Sequence, residues 1–262
     1  MAAGAWAVPV IAAATAAPAF AASPCATTYG YTLNWGNATA EFNRASTTAA
    51  SASATSTSVG AQKLSIGFAS ALITSGNNNS VNGHVLDVTH NLTVPGPAAG
   101  GGGGVAPNVT NLGNITPGGA ERGLCLQHST SSTANVSRTG NPDRGQRLTI
   151  SFPRDVTNLT FWIVDIDSTT SGYWDRVRFT TTPTVVTNSA SVNINGTGSG
   201  TTPFRYGTTQ TNNNFDENTA NARVKVSFAG PLTSLTMEYW NAGGTGVQRV
   251  FLADFAFDAL GC

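Results

Sequence analysis

The most informative segment of the sequence is Val156–Thr180, VTNLTFWIVDIDSTTSGYWDRVRFT. It contains the longest apolar run outside the N-terminal segment, and that run ends in Asp165-Ile166-Asp167. A short Ser/Thr/Gly segment follows, and Asp175 then opens a second alternating run. The pattern predicts a strand, a turn and a returning strand, with three carboxylates at one end of a hairpin.

Alternation of apolar and polar residues recurs along the rest of the chain, and no segment after the N-terminal 23 residues keeps a helical period for three turns. Many short strands separated by turn residues are typical of sandwiches and barrels. The sequence therefore predicts an all-β fold, an antiparallel β-sandwich of jelly-roll type. The clearest alternating triplets are Leu64/Ile66/Phe68, Leu148/Ile150/Phe152, Val224/Val226/Phe228 and Leu235/Met237/Tyr239.

Two segments of biased composition allow more than one interpretation. Residues 44–59, RASTTAASASATSTSV, fit either a flexible tract or an edge strand, since Ala and Thr alternate in part of them. The Gly-rich run near residues 95–104 fits either a linker between two domains or a long loop. Because neither side alone resembles a complete sandwich, we predict a single domain over residues 22–262 that contains this loop.

The N-terminal residues 1–21 are predicted to be a signal peptide. Residues 5–17 form a short apolar core, and Ala19 and Ala21 supply the small side chains that signal peptidase needs. The segment resembles twin-arginine leaders of exported proteins from high-GC Gram-positive bacteria, although Lys and Arg are missing from it. That resemblance implies an arginine pair upstream of Met1, a truncated leader and a secreted protein that can associate with the cell wall. The alternative is a buried N-terminal helix.

The charge balance argues against several classes of partner. The chain has 13 basic and 13 acidic residues, and charged residues make up only 10% of it, against about 25% in an average domain. A neutral chain lacks the basic footprint of proteins that bind nucleic acids or anionic membranes. The apolar core of the predicted leader, residues 5–17, is also shorter than the ~20 residues of a membrane span.

The three cysteines are Cys25, Cys125 and Cys262. In an exported chain they allow one intrachain disulfide with one cysteine left over. We predict the Cys25–Cys262 bridge, because the terminal strands of β-sandwiches often pair. Such a long closed loop would stabilise the fold by about 4–5 kcal/mol. Cys125 is flanked by leucines and is predicted to be a buried thiol.

The carboxylates at the end of the central hairpin suggest a cation site. On a strand, Asp165 and Asp167 lie on the same side about 7 Å apart, and Asp175 opens the returning strand. Oxygen ligands grouped at a loop suit Ca²⁺. Two structural alternatives stay open: Asp167 caps the turn, or Asp165 or Asp175 forms an ion pair with Arg176 or Arg178.

Aromatic residues next to the predicted turns suggest ligand binding. Tyr173 and Trp174 lie in the hairpin loop, and Tyr239 and Trp240 end another strand. Exposed rings at these places would stack on the faces of sugars. In the alternative interpretation, Trp174 and Trp240 cover the ends of the core.

Evidence for catalysis in the sequence is weak. No GxSxG, HExxH or P-loop motif occurs. His84 and His90 would lie about 20 Å apart on one strand, too far to share a metal ion. Paired carboxylates could still serve glycoside hydrolysis, for which Glu238 beside Trp240 is a candidate. A secreted glycan-active hydrolase is therefore the alternative function.

The sequence contains the strings YTLNWG, GLCLQHS, LTFWIVDIDS, WDRVRF, GPLTSLTMEYWN and VFLADFAF. Together these six strings resemble a module of exported, largely uncharacterised bacterial surface proteins. That resemblance implies a secreted or cell-surface, non-enzymatic protein for adhesion or binding of an extracellular polysaccharide or cell-surface component. The last string is also similar to the final strand of jelly-roll carbohydrate-binding modules, which implies that Asp254 joins a structural Ca²⁺ site.

Overall fold

The computed structural model describes residues 27–58, 62–73, 84–94, 112, 122–130, 145–188, 193–215, 220–243 and 246–261. The predicted leader, both cysteines of the predicted disulfide and the Gly-rich segment 95–104 lie outside these residues. Those three predictions therefore stay predictions.

The described chain is built of strands, as the sequence predicts. The strand expected to contain both His84 and His90 is wrong, however: it ends at Leu86, because the Thr89 and His90 N–H groups donate to Asp87 Oδ1 and form a turn. Helical structure there consists of single 3₁₀ turns at Ala38–Ala40 and Ala220–Ala222, and no helix is long and apolar enough to cross a membrane. The strands are β1 Thr28–Leu33, β2 Asn43–Arg44, β3 Ala49–Ser56, β4 Lys63–Leu72, β5 His84–Leu86, β6 Leu124–Thr130, β7 Gln146–Val164, β8 Asp175–Phe179, β9 Thr184–Asn188, β10 Ile194–Asn195, β11 Arg205–Tyr206, β12 Arg223–Phe228, β13 Leu232–Asn241, β14 Gly246–Leu252 and β15 Phe255–Leu260.

The strand β7 is the central strand of the fold and pairs with five other strands. It has 19 residues and joins two of the predicted apolar runs into one strand. The chain segments β12 and β13 follow one another along one edge of β7. The opposite edge is occupied in turn by β4, β15 and β14. All these pairings are antiparallel, so the all-β antiparallel prediction is confirmed.

The sheet closes on itself through β7. From β7 the pairing runs to β4, β3, β1 and β15, and β15 returns to β7. The result is a closed barrel with sheet extensions rather than a clear sandwich of two separate sheets. The physical reason is the length of β7, since one continuous strand contributes its first half to one wall and its second half to the other. The jelly-roll topology remains a prediction.

The low-complexity segment forms the strand β3. Its side chains alternate between buried and partly exposed along the whole strand. Ala50, Ala52 and Ala54 point into the core, and the Ser and Thr residues between them face outward. Because β3 pairs with β4 over seven residues and also with β1 and β2, it is an interior strand. The alternative of a flexible tract is wrong here, and the alternative of an edge strand is right about the strand but wrong about its position at an edge.

The predicted hairpin forms only at its tip. Ser168 and Trp174 form an antiparallel bridge, and the Thr169 N–H donates to the Tyr173 carbonyl over 2.8 Å. Beyond the tip, however, β8 pairs with β13 and not with β7. The edge of β7 is already occupied by β12 and β13, so the returning strand adds to β13 instead.

One glycine is required where β12 passes into β13. Gly230 has φ +77°, and a Cβ atom at this position would lie 2.4 Å from the carbonyl oxygen of Val156. We expect Gly230→Ala to lower the free energy of unfolding by about 2–4 kcal/mol, measured by urea denaturation, because backbone strain and a clash with β7 add up.

Gly200→Ala is the matched control for this substitution. Gly200 also has a positive φ of +55°, but a Cβ atom there would meet nothing within 4 Å. Only strain of about 1–2 kcal/mol is then expected. Equal losses in the two variants would show that the contact with Val156 contributes nothing.

Candidate functional site

The three predicted carboxylates meet at the end of β7. The chain turns at Asp165, which has φ +71°, and Asp175 then lies beside Asp167. The Asp175 N–H donates to the Asp167 carbonyl over 3.0 Å, and the Asp167 N–H donates to Asp175 Oδ2 over 3.2 Å. The exposed fractions of Asp165, Asp167 and Asp175 are only 5%, 2% and 0%. The sequence therefore located this cluster correctly, but the carboxylates are buried.

Several groups of the protein contact these carboxylates. The Tyr239 hydroxyl donates to Asp175 Oδ1 over 2.9 Å. The Phe215 N–H donates to Asp167 Oδ2 over 2.8 Å. Arg249 Nε lies 3.5 Å from Asp165 Oδ2. Arg249 therefore supplies a positive charge next to this group of carboxylates.

Burial and mutual repulsion change the acidity of this cluster. Burial raises the pKa of Asp175 well above its usual range, and the negative charge of Asp165 raises it further. Burial likewise raises the pKa of Asp167, with the charge of Asp175 as the second cause. A carboxyl group inside a protein avoids the cost of an unpaired charge by keeping its proton. The cluster is therefore balanced by protons and by Arg249.

The structure does not support the predicted calcium site. Within the described residues, no group of three or more His, Cys, Asp or Glu side chains has an arrangement that could hold a metal ion. Asp254, the other residue connected with calcium, accepts a hydrogen bond from the Trp35 N–H over 2.9 Å and joins two loops. The carboxylate oxygens of Asp167 and Asp175 instead accept hydrogen bonds from donors of the protein.

The ion pairs that the structure shows differ from the alternative pairs with Arg176 or Arg178. Arg178 pairs with Glu238 over 2.7 Å, and Asp165 pairs with Arg249. Sequence reasoning missed Arg249 because it belongs to β14, 84 residues after Asp165. No local pattern connects two positions that far apart.

Two of the four predicted binding aromatics are inside the protein. Tyr239 and Trp240 are both 0% exposed. Tyr239 points into the core toward Asp175, and Trp240, on the other face of β13, has the Arg178 guanidinium 5.8 Å from its ring centroid. Burial excludes stacking on a ligand in this conformation. Tyr173 and Trp174 are partly exposed, so these two remain as candidates for stacking on a ligand.

Residues 169–174, which we call the aromatic loop, are held by hydrogen bonds within the loop and from a neighbouring segment. Thr169 Oγ1 accepts from the N–H groups of Gly172 and Tyr173 over 3.0 and 3.1 Å. Gln210 Nε2 donates to the Thr169 carbonyl over 2.6 Å. The backbone conformation that presents the two rings is therefore fixed before any ligand arrives.

Trp174 is anchored on three sides. Its N–H donates to Asn241 Oδ1 over 3.1 Å, and its indole Nε1 donates to the Tyr206 carbonyl over 2.8 Å. The Arg176 guanidinium lies 3.6 Å from the centroid of the ring. The sequence contains a signal for this last contact, because residues i and i+2 of a strand share a face and Trp174 and Arg176 have this spacing.

Comparison with known proteins found no matching family model, no matching curated protein and no matching solved structure. A functional interpretation therefore depends on the residues of this chain and their geometry.

Proposed function

We propose that this protein is a secreted or cell-surface module that binds an extracellular polysaccharide or other cell-surface component without turning it over. The observation that carries the proposal is the aromatic loop, which presents Tyr173 and Trp174 at the surface on a backbone held by Thr169 and Gln210. A rigid aromatic platform loses little conformational entropy on binding, and ring faces attract the apolar faces of sugars.

Features of the sequence support the extracellular part of this proposal. The predicted leader over residues 1–21 and the resemblance to modules of exported surface proteins both favour secretion. A jelly-roll topology, as in carbohydrate-binding modules, is compatible with the antiparallel strands. Calcium is not part of this proposal because the described carboxylates form no metal-binding group.

The alternative, a glycan-active hydrolase, has one observation in its favour. A carboxyl group with a raised pKa is what a general acid needs, and Asp167 and Asp175 have raised pKa values because they are buried. However, these two carboxyl groups are 2% and 0% exposed, and glycoside hydrolysis needs two carboxyl groups that reach the same glycosidic bond. The geometry favours binding over hydrolysis.

We expect Trp174→Ala to weaken polysaccharide binding about tenfold, since a stacked ring contributes on the order of 1 kcal/mol beyond its buried area. Affinity electrophoresis in gels that contain neutral or acidic polysaccharides measures this effect. Trp162→Ala is the control, because Trp162 is a partly exposed tryptophan on β7 outside the aromatic loop.

Two results would contradict the proposal. Retardation by none of the polysaccharides would remove the binding function. Release of new reducing ends from a retarded polymer would show a hydrolase instead, and a loss of that activity in Asp175→Asn would assign it to the carboxylate cluster.

A further inference from the structure

Two arginines face each other beside the aromatic loop. The strand β11 lies next to β8, because Val177 and Phe204 exchange backbone hydrogen bonds of 3.1 and 2.8 Å. In this register Arg176 is opposite Arg205. Val177 and Phe204 form a hydrogen-bonded pair, so the neighbouring pair of Arg176 and Arg205 is not hydrogen-bonded through the backbone. In such a pair the side chains lie closest together. The two guanidinium groups therefore emerge on the same face, side by side.

Arg176 is an almost completely buried cation. It is 4% exposed, it stacks on Trp174 at 3.6 Å, and its Nη1 donates to the carbonyl of Asp175 over 3.3 Å. The carboxylate of Asp175 points away from the Arg176 side chain, because successive residues of a strand face opposite sides. The Asp175 carboxylate accepts a hydrogen bond from Tyr239 in the core. A guanidinium group has five N–H donors, so most donors of Arg176 are not used by the described residues.

The arrangement of the two arginines is unfavourable without an anion. Like charges directly opposite each other on neighbouring strands destabilise a sheet. Burial lowers the pKa of Arg176 to about 9, the charge of Arg205 contributes to the decrease, and Asp175 opposes it. Arg176 therefore still carries its charge at neutral pH. Among the described residues, neither arginine has a carboxylate oxygen within 4.0 Å.

The remainder of this face is also positive. On β13, Glu238 is opposite Arg147 on one side and Arg178 on the other, and it forms ion pairs of 2.7 Å with both. Residue Trp240 is opposite Arg176. The part of this face around β8 thus carries four arginines and one glutamate, although the whole chain has equal numbers of basic and acidic residues.

We propose that Arg176 and Arg205 bind the carboxylate group of an acidic polysaccharide, a polymer of uronic acid residues, whose sugar ring stacks on the aromatic loop. The inference rests on the proposed function and names the class of its ligand. The planar fork of a guanidinium group matches a carboxylate with two parallel hydrogen bonds. Nucleic acid fits less well, because a formally neutral chain with two lysines lacks an extended basic surface for the phosphate backbone.

The test is titration calorimetry of the protein with oligogalacturonate at low salt. We expect Arg205→Gln to bind at least tenfold more weakly than the unaltered protein. Arg205 is the better position to alter because it is partly exposed, whereas Arg176 is buried. Lys225→Gln on β12 removes the same charge outside this face, and we expect its affinity to stay within twofold. Arg176→Lys keeps the charge but loses the fork, so weaker binding is expected there as well.

The other outcomes show whether the carboxylate inference fails alone or together with the proposed polysaccharide binding. If Arg205→Gln and Lys225→Gln weaken binding equally, net charge alone attracts the polymer and the inference is overturned. If only neutral glucans bind, the inference fails while polysaccharide binding stands. If sulfated polymers or single-stranded DNA bind as tightly as oligogalacturonate, the site is a general polyanion site and not a carboxylate receptor. If none of these polymers binds, both proposals fail.

Discussion

Asp175→Ala is expected to lower the free energy of unfolding by about 2–4 kcal/mol. The substitution leaves two donors without an acceptor, the Tyr239 hydroxyl and the Asp167 N–H. Each buried group that loses its partner costs about 1–3 kcal/mol. Relief of repulsion with Asp165 and Asp167 offsets part of this loss. Urea denaturation at neutral pH measures the difference.

Asp175→Asn is the informative partner of this variant. The amide has nearly the shape of the carboxyl group, its oxygen accepts from the Asp167 N–H, and its NH₂ donates to Tyr239, whose hydroxyl can reverse its role. We therefore expect Asp175→Asn to be at least as stable as the unaltered protein at neutral pH. A loss as large as that of Asp175→Ala would show that the charge of the carboxylate stabilises the fold.

The free energy of unfolding of the unaltered protein, compared with that of Asp175→Asn, is expected to depend on pH. Because the pKa of Asp175 is raised in the folded state, the folded protein binds more protons than the unfolded chain above the unfolded pKa of about 3.9. Stability therefore decreases as the pH rises from that value toward the raised folded pKa. The difference in free energy of unfolding between Asp175→Asn and the unaltered protein should grow over this window. A difference that is constant from pH 4 to 8 would contradict the buried, protonated carboxyl group.

Thermal melts with Ca²⁺ and with EDTA extend this experiment to the predicted calcium site. If protons balance the charge of the carboxylates, the midpoint of thermal unfolding is expected to be the same with Ca²⁺ and with EDTA. Saturation with a ligand at 100 times its Kd would add about 2.7 kcal/mol. A rise with Ca²⁺ that Asp167→Asn abolishes would show that a cation replaces the protons.

The second large effect is expected for Glu238→Ala, which should cost about 2–3 kcal/mol. Glu238 is 4% exposed and lies between Arg147 and Arg178, with ion pairs of 2.7 Å to each. Removing one partner from a buried ion pair leaves an uncompensated charge. Here the loss is smaller than in a deep core, because half of the Arg147 side chain is exposed and water screens its charge.

Arg147→Gln is the matched control for Glu238→Ala. It removes the exposed partner and leaves the pair of Glu238 with Arg178 in place, so we expect a loss below about 1 kcal/mol. Urea denaturation of both variants at low and high salt measures the two losses. Equal losses would contradict the central role of Glu238.

Most of the strands, and the place where the carboxylates gather, could be predicted from the sequence alone. Period-two alternation predicted β4, β12 and β13 because it reflects local burial along one strand. Asp165 and Asp167 end an apolar run, and a chain that leaves the core must turn there. The Ala/Ser alternation of β3 carried the same information, but small side chains make that signal ambiguous, so two interpretations stayed open.

Which strands are neighbours in the sheet became clear only from the folded structure. The sequence placed β8 beside β7, whereas β13 occupies that position, and a single 19-residue strand closes the barrel. For the same reason the partner of Asp165 proved to be Arg249, and Arg205 came to face Arg176. Alternation specifies the face on which a side chain lies, but not the strand that follows in the sheet. That choice depends on contacts between residues far apart in the chain, and the candidate site is built from such contacts.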